Sequence, residues 1–199
     1  MSRRPRSTPS QPIRALSAPE ISVVLAVNDD EERIGHHVKA IACHLTSLER
    51  TFEIIAVNNG CRDNSLSILE LLAARLPELR VVRTAAGGRA FLCGAGQAAG
   101  TLLILMEANR RAALAPIGWA LSRLAAGRDA VILRDRYVVA RLRPVLAVLA
   151  RASGPGLLFE SVFERRAQAL GLDVVGSRAA PKGATSFLLA PVLRFLAAP

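Results

Sequence analysis

Three apolar runs, each ending on a polar cluster, constrain this chain more than any other feature of it. ISVVLAV (21–27) leads into Asn28-Asp29-Asp30, FEIIAV (52–57) into Asn58-Asn59-Gly60, and TLLILM (101–106) into Glu107-Ala108-Asn109. Short continuous runs of β-branched and aliphatic residues read as strands covered on both faces. Segments with helical spacing lie between them. After the first run, Ile34, Val38, Ile41 and Leu45 recur at that spacing, with acids in the first turn and Asn28 or Asp29 as N-cap. Asp63 or Asn64 caps a second helix reaching about Leu76.

The same reading continues along the chain. LRVVRT (79–84), DAVIL (129–133) and DVVGS (173–177) are strand candidates, and 87–100 reads as a loop with a small-residue helix. Helices are predicted over 116–126, 143–152 and 159–172, with a C-terminal one in TSFLLAPVLRFLAA, interrupted by Pro191. Strands alternating with helices predict an α/β domain: a mainly parallel, Rossmann-like sheet with helices on both faces. In such sheets ligands bind beyond the carboxyl ends of the strands. The three polar clusters therefore belong to one rim. Turn chemistry alone also places Asn, Asp and Gly at strand ends, so a single cluster would mean little.

Composition narrows the class. With 51% apolar residues and a mean hydropathy of +0.31, the 199-residue chain is expected to fold as one domain over 21–199 behind a disordered basic tail, 1–20. The net charge of +10 is almost all arginine and favours polyanions, nucleotide phosphates or an anionic membrane face. Nucleic acid is disfavoured, because the basic residues are spread along the chain and aromatics make up only 4%. Cys43, Cys61 and Cys93 form no C-x-x-C pair and are odd in number, which fits a reducing, cytoplasmic compartment. The tail has no apolar segment behind Arg3-Arg4 and is not a secretory signal, and no run reaches the ~18 apolar residues of a membrane span.

Two tempting motifs have plainer readings. GAGQAAG (94–100) formally matches a dinucleotide fingerprint, but it precedes a strand instead of following one, so its small residues are read as packing. His36, His37, Cys43 and His44 share one helix, yet His37 and His44 are two turns apart and need other ligands to hold a metal. They are read as ordinary helix residues. No Ser/His/Asp set is apparent.

From about Ile21 onward the chain resembles the family 2 glycosyltransferases of the GT-A fold, in the dolichyl-phosphate-mannose-synthase-like branch. SVVLAVNDDEERIG is similar to that family's opening strand–turn–helix. FEIIAVNNGCRDNS is similar to its second strand with the D-D-G turn, GTLLILMEANRRA to its Asp-x-Asp segment, and DAVILRDRY to a later strand ending in G-S-R-Y. SGPGLLFESVFERR resembles its S-G-F-R-L-F-R-R-E stretch in an ambiguous register. The resemblance implies that a UDP- or GDP-linked sugar lies across the rim. Asp30, Asn58, Asn59 and Arg89 would then be nucleotide-binding, Glu107 and Asn109 would be the segment for Mn²⁺ or Mg²⁺, and Asp135 and the rim arginine Arg136 would be catalytic; Asp29, Asp30, Asp63 and Asp135 are the nearby carboxylates open to the role of general base.

The chain departs from the family at telling places. Amides replace carboxylates at 58, 59 and 109, Ala26 and Asn28 stand for the turn proline and tyrosine, and Gly156 falls where a later arginine is kept. A neutral amide is a poor ligand for a hard divalent cation. Arg89, Arg110, Arg111 or Arg136 would then offset diphosphate charge. Two functions remain open: a glycosyltransferase with an atypical metal site or none, and a non-catalytic glycosyltransferase-like binding or scaffolding protein with a protein partner. Peripheral contact with the inner membrane face, through the apolar C-terminal segment, is a further expectation.

Overall fold

The computed structural model describes residues 18–85, 89–109, 113–134, 137–151 and 159–177. Residues 1–17 of the proposed tail, Arg110, Arg111, Asp135, Arg136, Gly156 and the C-terminal helix expected from Thr185 lie outside the described residues, whereas Glu20, the last tail residue, is held by Thr51 and Arg50. Among the described residues, seven strands and six helices follow one another as β1 (Ile21–Val27), α1 (Glu31–Ser47), β2 (Phe52–Asn58), α2 (Ser65–Ala73), β3 (Leu79–Arg83), α3 (Ala90–Ala95), β4 (Leu102–Glu107), α4 (Pro116–Ala125), β5 (Ala130–Leu133), β6 (Tyr137–Arg141), α5 (Leu142–Arg151), α6 (Phe159–Ala169) and β7 (Val174–Ser177).

They form one sheet in the order β3-β2-β1-β4-β6-β5-β7. All neighbours are parallel except at β6, which runs antiparallel to both β4 and β5. Every residue of β1 is buried, as a central strand covered on both faces must be. Its side chains alternate between two cores. Val23, Leu25 and Val27 join α1, α2 and α4 on one face, while Val24 and Ala26 join α3, α5 and α6 on the other. The expected α/β architecture is therefore the one observed.

The antiparallel β6 was absent from the sequence reading, and the reason is local. Tyr137–Arg141 passes into α5 at Leu142 with no Gly, Asn or Asp between them, so strand and helix read as one apolar stretch. Pro144, which would usually argue for a break, sits in the first turn of α5, where its missing N–H has no helical partner to lose.

The small residues of 94–100 do pack tightly. A Cβ on Gly94 would lie 2.4 Å from Val24 Cγ1, and one on Gly100 would lie 2.8 Å from the Ser22 backbone nitrogen. Only glycine lets α3 and the turn before β4 approach β1 this closely.

Below them, at the amino end of the sheet, Glu53 gathers four hydrogen bonds. Ser22 Oγ and the Ala99 N–H donate to Oε1, both at 2.7 Å, and Arg80 donates to Oε2 through Nε (3.2 Å) and Nη2 (2.7 Å). Gly100 N–H completes the network by donating to Ser22 Oγ. Burial alone would raise the Glu53 pKa, but the bonds from Ala99, Ser22 and Arg80 outweigh it and hold the carboxyl below its usual range.

Candidate functional site

The chain order of the strands reverses beside β1. β2 and β3 are laid down on one side of it, and β4 returns to the other. The carboxyl ends of β1 and β4 therefore flank the topological switch point, where open α/β sheets bind ligands. Register aligns the polar clusters there: Val27 faces Asn58 on one side, and Ala26 faces Glu107 on the other. One further backbone bond extends each ladder into the rim, from Asn59 N–H to Val27 O (3.1 Å) and from Ala108 N–H to Ala26 O (2.9 Å).

The first two clusters interlock. Asp30 occupies the N-cap position of α1, but its side chain caps nothing there; Oδ2 accepts instead from the Asn28 N–H at 3.0 Å. The helix start is capped from across the gap. Asp63 Oδ2 accepts from the Glu31 N–H (2.9 Å), while its Oδ1 accepts from the Ser65 N–H (3.0 Å) and so serves α2 as well. Glu31 reciprocates by accepting from the Asn64 N–H, and Asp29 Oδ1 accepts from the Arg62 N–H. Asp29 itself adopts a left-handed backbone, φ 51°, a conformation that Asp tolerates better than most residues.

This exchange decides what several side chains can do. Asp30 is buried at 4% exposure, and burial pushes its pKa up, partly opposed by the Asn28 N–H and Arg33. On Asp63, burial works upward, but the hydroxyl of Ser65 and the N–H groups of Glu31 and Ser65 bring the carboxyl below its usual value. Asn58, buried at 6% exposure, spends its side-chain oxygen on the Cys61 N–H at 2.8 Å. The strand stops on an amide because that amide closes the turn into α2. Cys61 Sγ lies 3.3 Å from the Val27 carbonyl, to which it donates; burial and the nearby Asp63 and Asp29 charges raise its pKa, so it is a structural thiol.

Asp29, Cys61 and Asp63 also place potential metal-ligand atoms within 4.8 Å of one another. Asp29 Oδ1 and both oxygens of Asp63 are already engaged by backbone N–H groups, so the cluster serves as the lock between the two turns.

Asn59 is different. Its Nδ2 donates to Asn28 Oδ1 at 2.7 Å, and its own side-chain oxygen is buried without a hydrogen-bond partner. Glu107 is half-buried at the end of β4, and Asn109 is exposed. Arg89 stands at the N-cap position of α3 and donates to the Ala150 carbonyl near the end of α5, at 3.0 Å. Asp135 and Arg136 fall outside the described residues, but their flanks Leu133 and Tyr137 are paired across the β5–β6 ladder.

Of two histidines read as ordinary helix residues, His37 reaches the rim: its Nδ1 lies 3.1 Å from the Ala108 carbonyl. His44 sits in the last turn of α1, where the Leu114 carbonyl partly opposes the effect of its burial. Burial lowers both pKa values, and the Nε2 of each is buried without a partner. Their one legible signal was two polar rings set seven residues apart beside the apolar stripe of α1.

Comparisons with known proteins agree with this geometry. No family model matches the chain. Over 115 residues it is 30% identical to the undecaprenyl-phosphate 4-deoxy-4-formamido-L-arabinose transferase of Pseudomonas paraeruginosa, a match covering 56% of this chain and 34% of that enzyme. The chain thus spans about a third of the length of this curated relative. Among solved structures it is similar to three glycosyltransferases. One is Staphylococcus aureus TarS 1–349 in complex with UDP-GlcNAc (TM-score 0.63, 15% identity, 82% of this chain and 56% of that one). Another is Mycobacterium tuberculosis glucosyl-3-phosphoglycerate synthase with Mn²⁺ and UDP (TM-score 0.59, 15% identity, 86% and 75%). The third is the Pyrobaculum calidifontis mannosyltransferase with GDP-Man and Mn²⁺ (TM-score 0.57, 14% identity, 81% and 55%). Among the described residues, no helix is long and apolar enough to cross a membrane. With its 3-2-1-4-6-5-7 sheet and polar switch point, this chain has the GT-A fold of the family 2-type glycosyltransferases.

Proposed function

We propose that this chain binds a UDP- or GDP-linked sugar across the switch point and transfers the sugar to an acceptor. The observation that carries the reading is the convergence of the β1, β2 and β4 polar ends on the crevice where this fold holds ligands. Proteins of the same fold are seen with UDP-GlcNAc and GDP-Man. The Asn28–Asn59 pair is assigned to the base, since amides can both donate to and accept from its edge. The diphosphate is assigned to the Glu107–Asn109 end, with Arg89 and Arg136 as its cationic partners.

In the transfer, an acceptor oxygen attacks the anomeric carbon and the bond from that carbon to the β-phosphate oxygen breaks. The nucleoside diphosphate leaves with the electron pair, and the acceptor proton passes to a base, for which Asp135 is proposed. The donor set fits a hard divalent cation poorly. Glu107 supplies one charged oxygen donor, Asn109 only a neutral one, and Asp29 Oδ1 and both oxygens of Asp63 are committed to backbone N–H groups. Leaving-group charge therefore falls to the arginines in this reading.

A second reading, a non-catalytic nucleotide-sugar or partner-binding module, draws on one observation. Asp30 and Asn58, two of the residues expected to touch the nucleotide, are spent on their own turns. Titration calorimetry of the full chain with UDP, GDP, UDP-GlcNAc and GDP-mannose, with and without Mn²⁺, separates the two. Binding that Mn²⁺ barely changes, followed by release of nucleoside diphosphate when acceptors are added, is the expected result. A folded protein that binds none of the four overturns the transferase reading.

A further inference from the structure

We propose that His37 is a positioning residue: it holds the residue that follows β4 by the Ala108 carbonyl and sets how the residues on either side, Glu107 and Asn109, are presented to a bound nucleotide-sugar. The inference rests on the function proposed above, but the clamp itself can be observed without any ligand.

His37 and His44 are separated by seven residues, two turns of α1, so only His37 lies near the start of the helix, where its partner is Ala108, immediately after β4. A second side chain holds the chain before α4 from the sheet, as Tyr137 Oη donates to the Ala113 carbonyl at 3.1 Å. Ala108 is fixed on both sides, because its N–H donates to Ala26 O while its carbonyl accepts from His37. Residues 107 and 109 are attached to that doubly held peptide.

Packing alone does not explain the imidazoles. They border a stripe made of Ile34, Val38, Ile41, Ala42 and Leu45, where a leucine or phenylalanine would fill the space without stranding a nitrogen. Each ring instead leaves Nε2 buried and unpaired, a cost that an apolar residue would not carry. What the ring adds is a directed N–H from Nδ1 in His37, held by a rigid helix instead of a loop. Groups that must be placed to within a fraction of an ångström are best supported from such elements.

The test compares His37→Phe and His37→Asn with the unaltered full chain, using UDP-GlcNAc and GDP-mannose as probes. Asn can place its Nδ2 near the position of the histidine Nδ1, so it restores the donor without the ring. His37→Phe is expected to weaken binding of the preferred probe by about tenfold or more, with His37→Asn recovering to within about threefold, as misplacement of a contact group predicts. The unfolding midpoint serves as a control, since a purely structural role would track stability and would not be rescued by the amide. Amide hydrogen exchange at Ala108, whose N–H donates to Ala26 O, is the second readout: it should accelerate in His37→Phe, whether or not any sugar nucleotide binds.

Unchanged affinity in folded His37→Phe overturns the positioning role, and unchanged exchange overturns the clamp. If the unaltered chain binds neither probe, the proposed function fails while exchange still decides the clamp. Should His37→Phe not fold, His37→Gln, whose longer side chain misplaces the amide, takes its place against His37→Asn.

Discussion

The two ends of the sheet are held by polar networks of similar size and opposite character. At the amino end, one buried carboxylate, Glu53, accepts four hydrogen bonds, and the ladder, the small-residue turn and an edge-strand arginine all close on it. At the carboxyl end, two turns trade caps through Asp29, Asp63 and Glu31, yet the side-chain oxygen of Asn59 and the Nε2 atom of His37 are left without partners. A network built only to hold strands has no reason to strand polar atoms in its interior. The contrast marks the lower end as scaffold and the upper end as the place where groups are arranged for something other than stability.

The largest effect should come from dismantling the scaffold end. Glu53→Ala leaves the Ala99 N–H, Ser22 and Arg80 without their acceptor and is expected to cost about 2–3 kcal/mol in urea unfolding, allowing for the partial exposure of Arg80. Nucleotide-sugar affinity, measured on the folded fraction, should stay where it was; a parallel loss of affinity would erase the division between the two ends. Gly94→Ala comes next, at about 1–3 kcal/mol, since its Cβ would overlap Val24 Cγ1 in a core with no slack.

Acid titration should resolve the ends in sequence. His37 and His44 have lowered folded pKa values, so the unfolded chain takes up protons first and stability falls as pH drops below about 6.5, until the folded values are passed. Glu53 acts later: its contribution is full above the ordinary glutamate value of about 4.3 and is lost as pH falls through its lowered folded value. Asp30, with its raised pKa, has the reverse sign and should offset part of the first decline. Unfolding midpoints from pH 7.5 to 3.5, the range these directions span, should show the early limb vanish in a His37→Asn/His44→Asn double variant and the late limb vanish in Glu53→Gln. Loss of both limbs in either variant would mean that the two networks titrate as one.

The smallest change in stability belongs to the upper end. Asn59→Ala removes one exposed side-chain bond to Asn28 and should shift stability by less than about 1 kcal/mol, yet weaken nucleotide-sugar binding about tenfold if the pair reads the base. Asn109→Asp should leave the unfolding midpoint within about 0.5 kcal/mol while raising Mn²⁺ affinity in calorimetry. No gain would mean that residues 107 and 109 do not face one cavity.

Strands β1, β2 and β4 were legible because burial on both faces writes itself as unbroken apolar runs, and their polar ends were legible for the same reason. What each polar side chain does at those ends was not. Asp63 caps a helix that begins 32 residues earlier, and Asp29 serves an amide 33 residues later, so no local pattern could distinguish a capping carboxylate from a ligand-binding one. Asn58 is the case in point. It matched a nucleotide-contacting position, and its oxygen closes its own turn. The strand β6 was hidden for a different reason, having no turn residue to separate it from α5.

Two glycines remain instructive. Gly94 and Gly100 are held by distances between backbone and neighbouring side chains, whereas a Cβ on Gly96 would meet only carbonyl oxygens of its own helix, the nearer at 3.3 Å. A drifting lineage could therefore lose the middle glycine long before the outer two. What survived would look, to a pattern search, like a decayed cofactor signature. It would in fact record how near a helix and a strand must pass, a memory of separation and not of any molecule once bound.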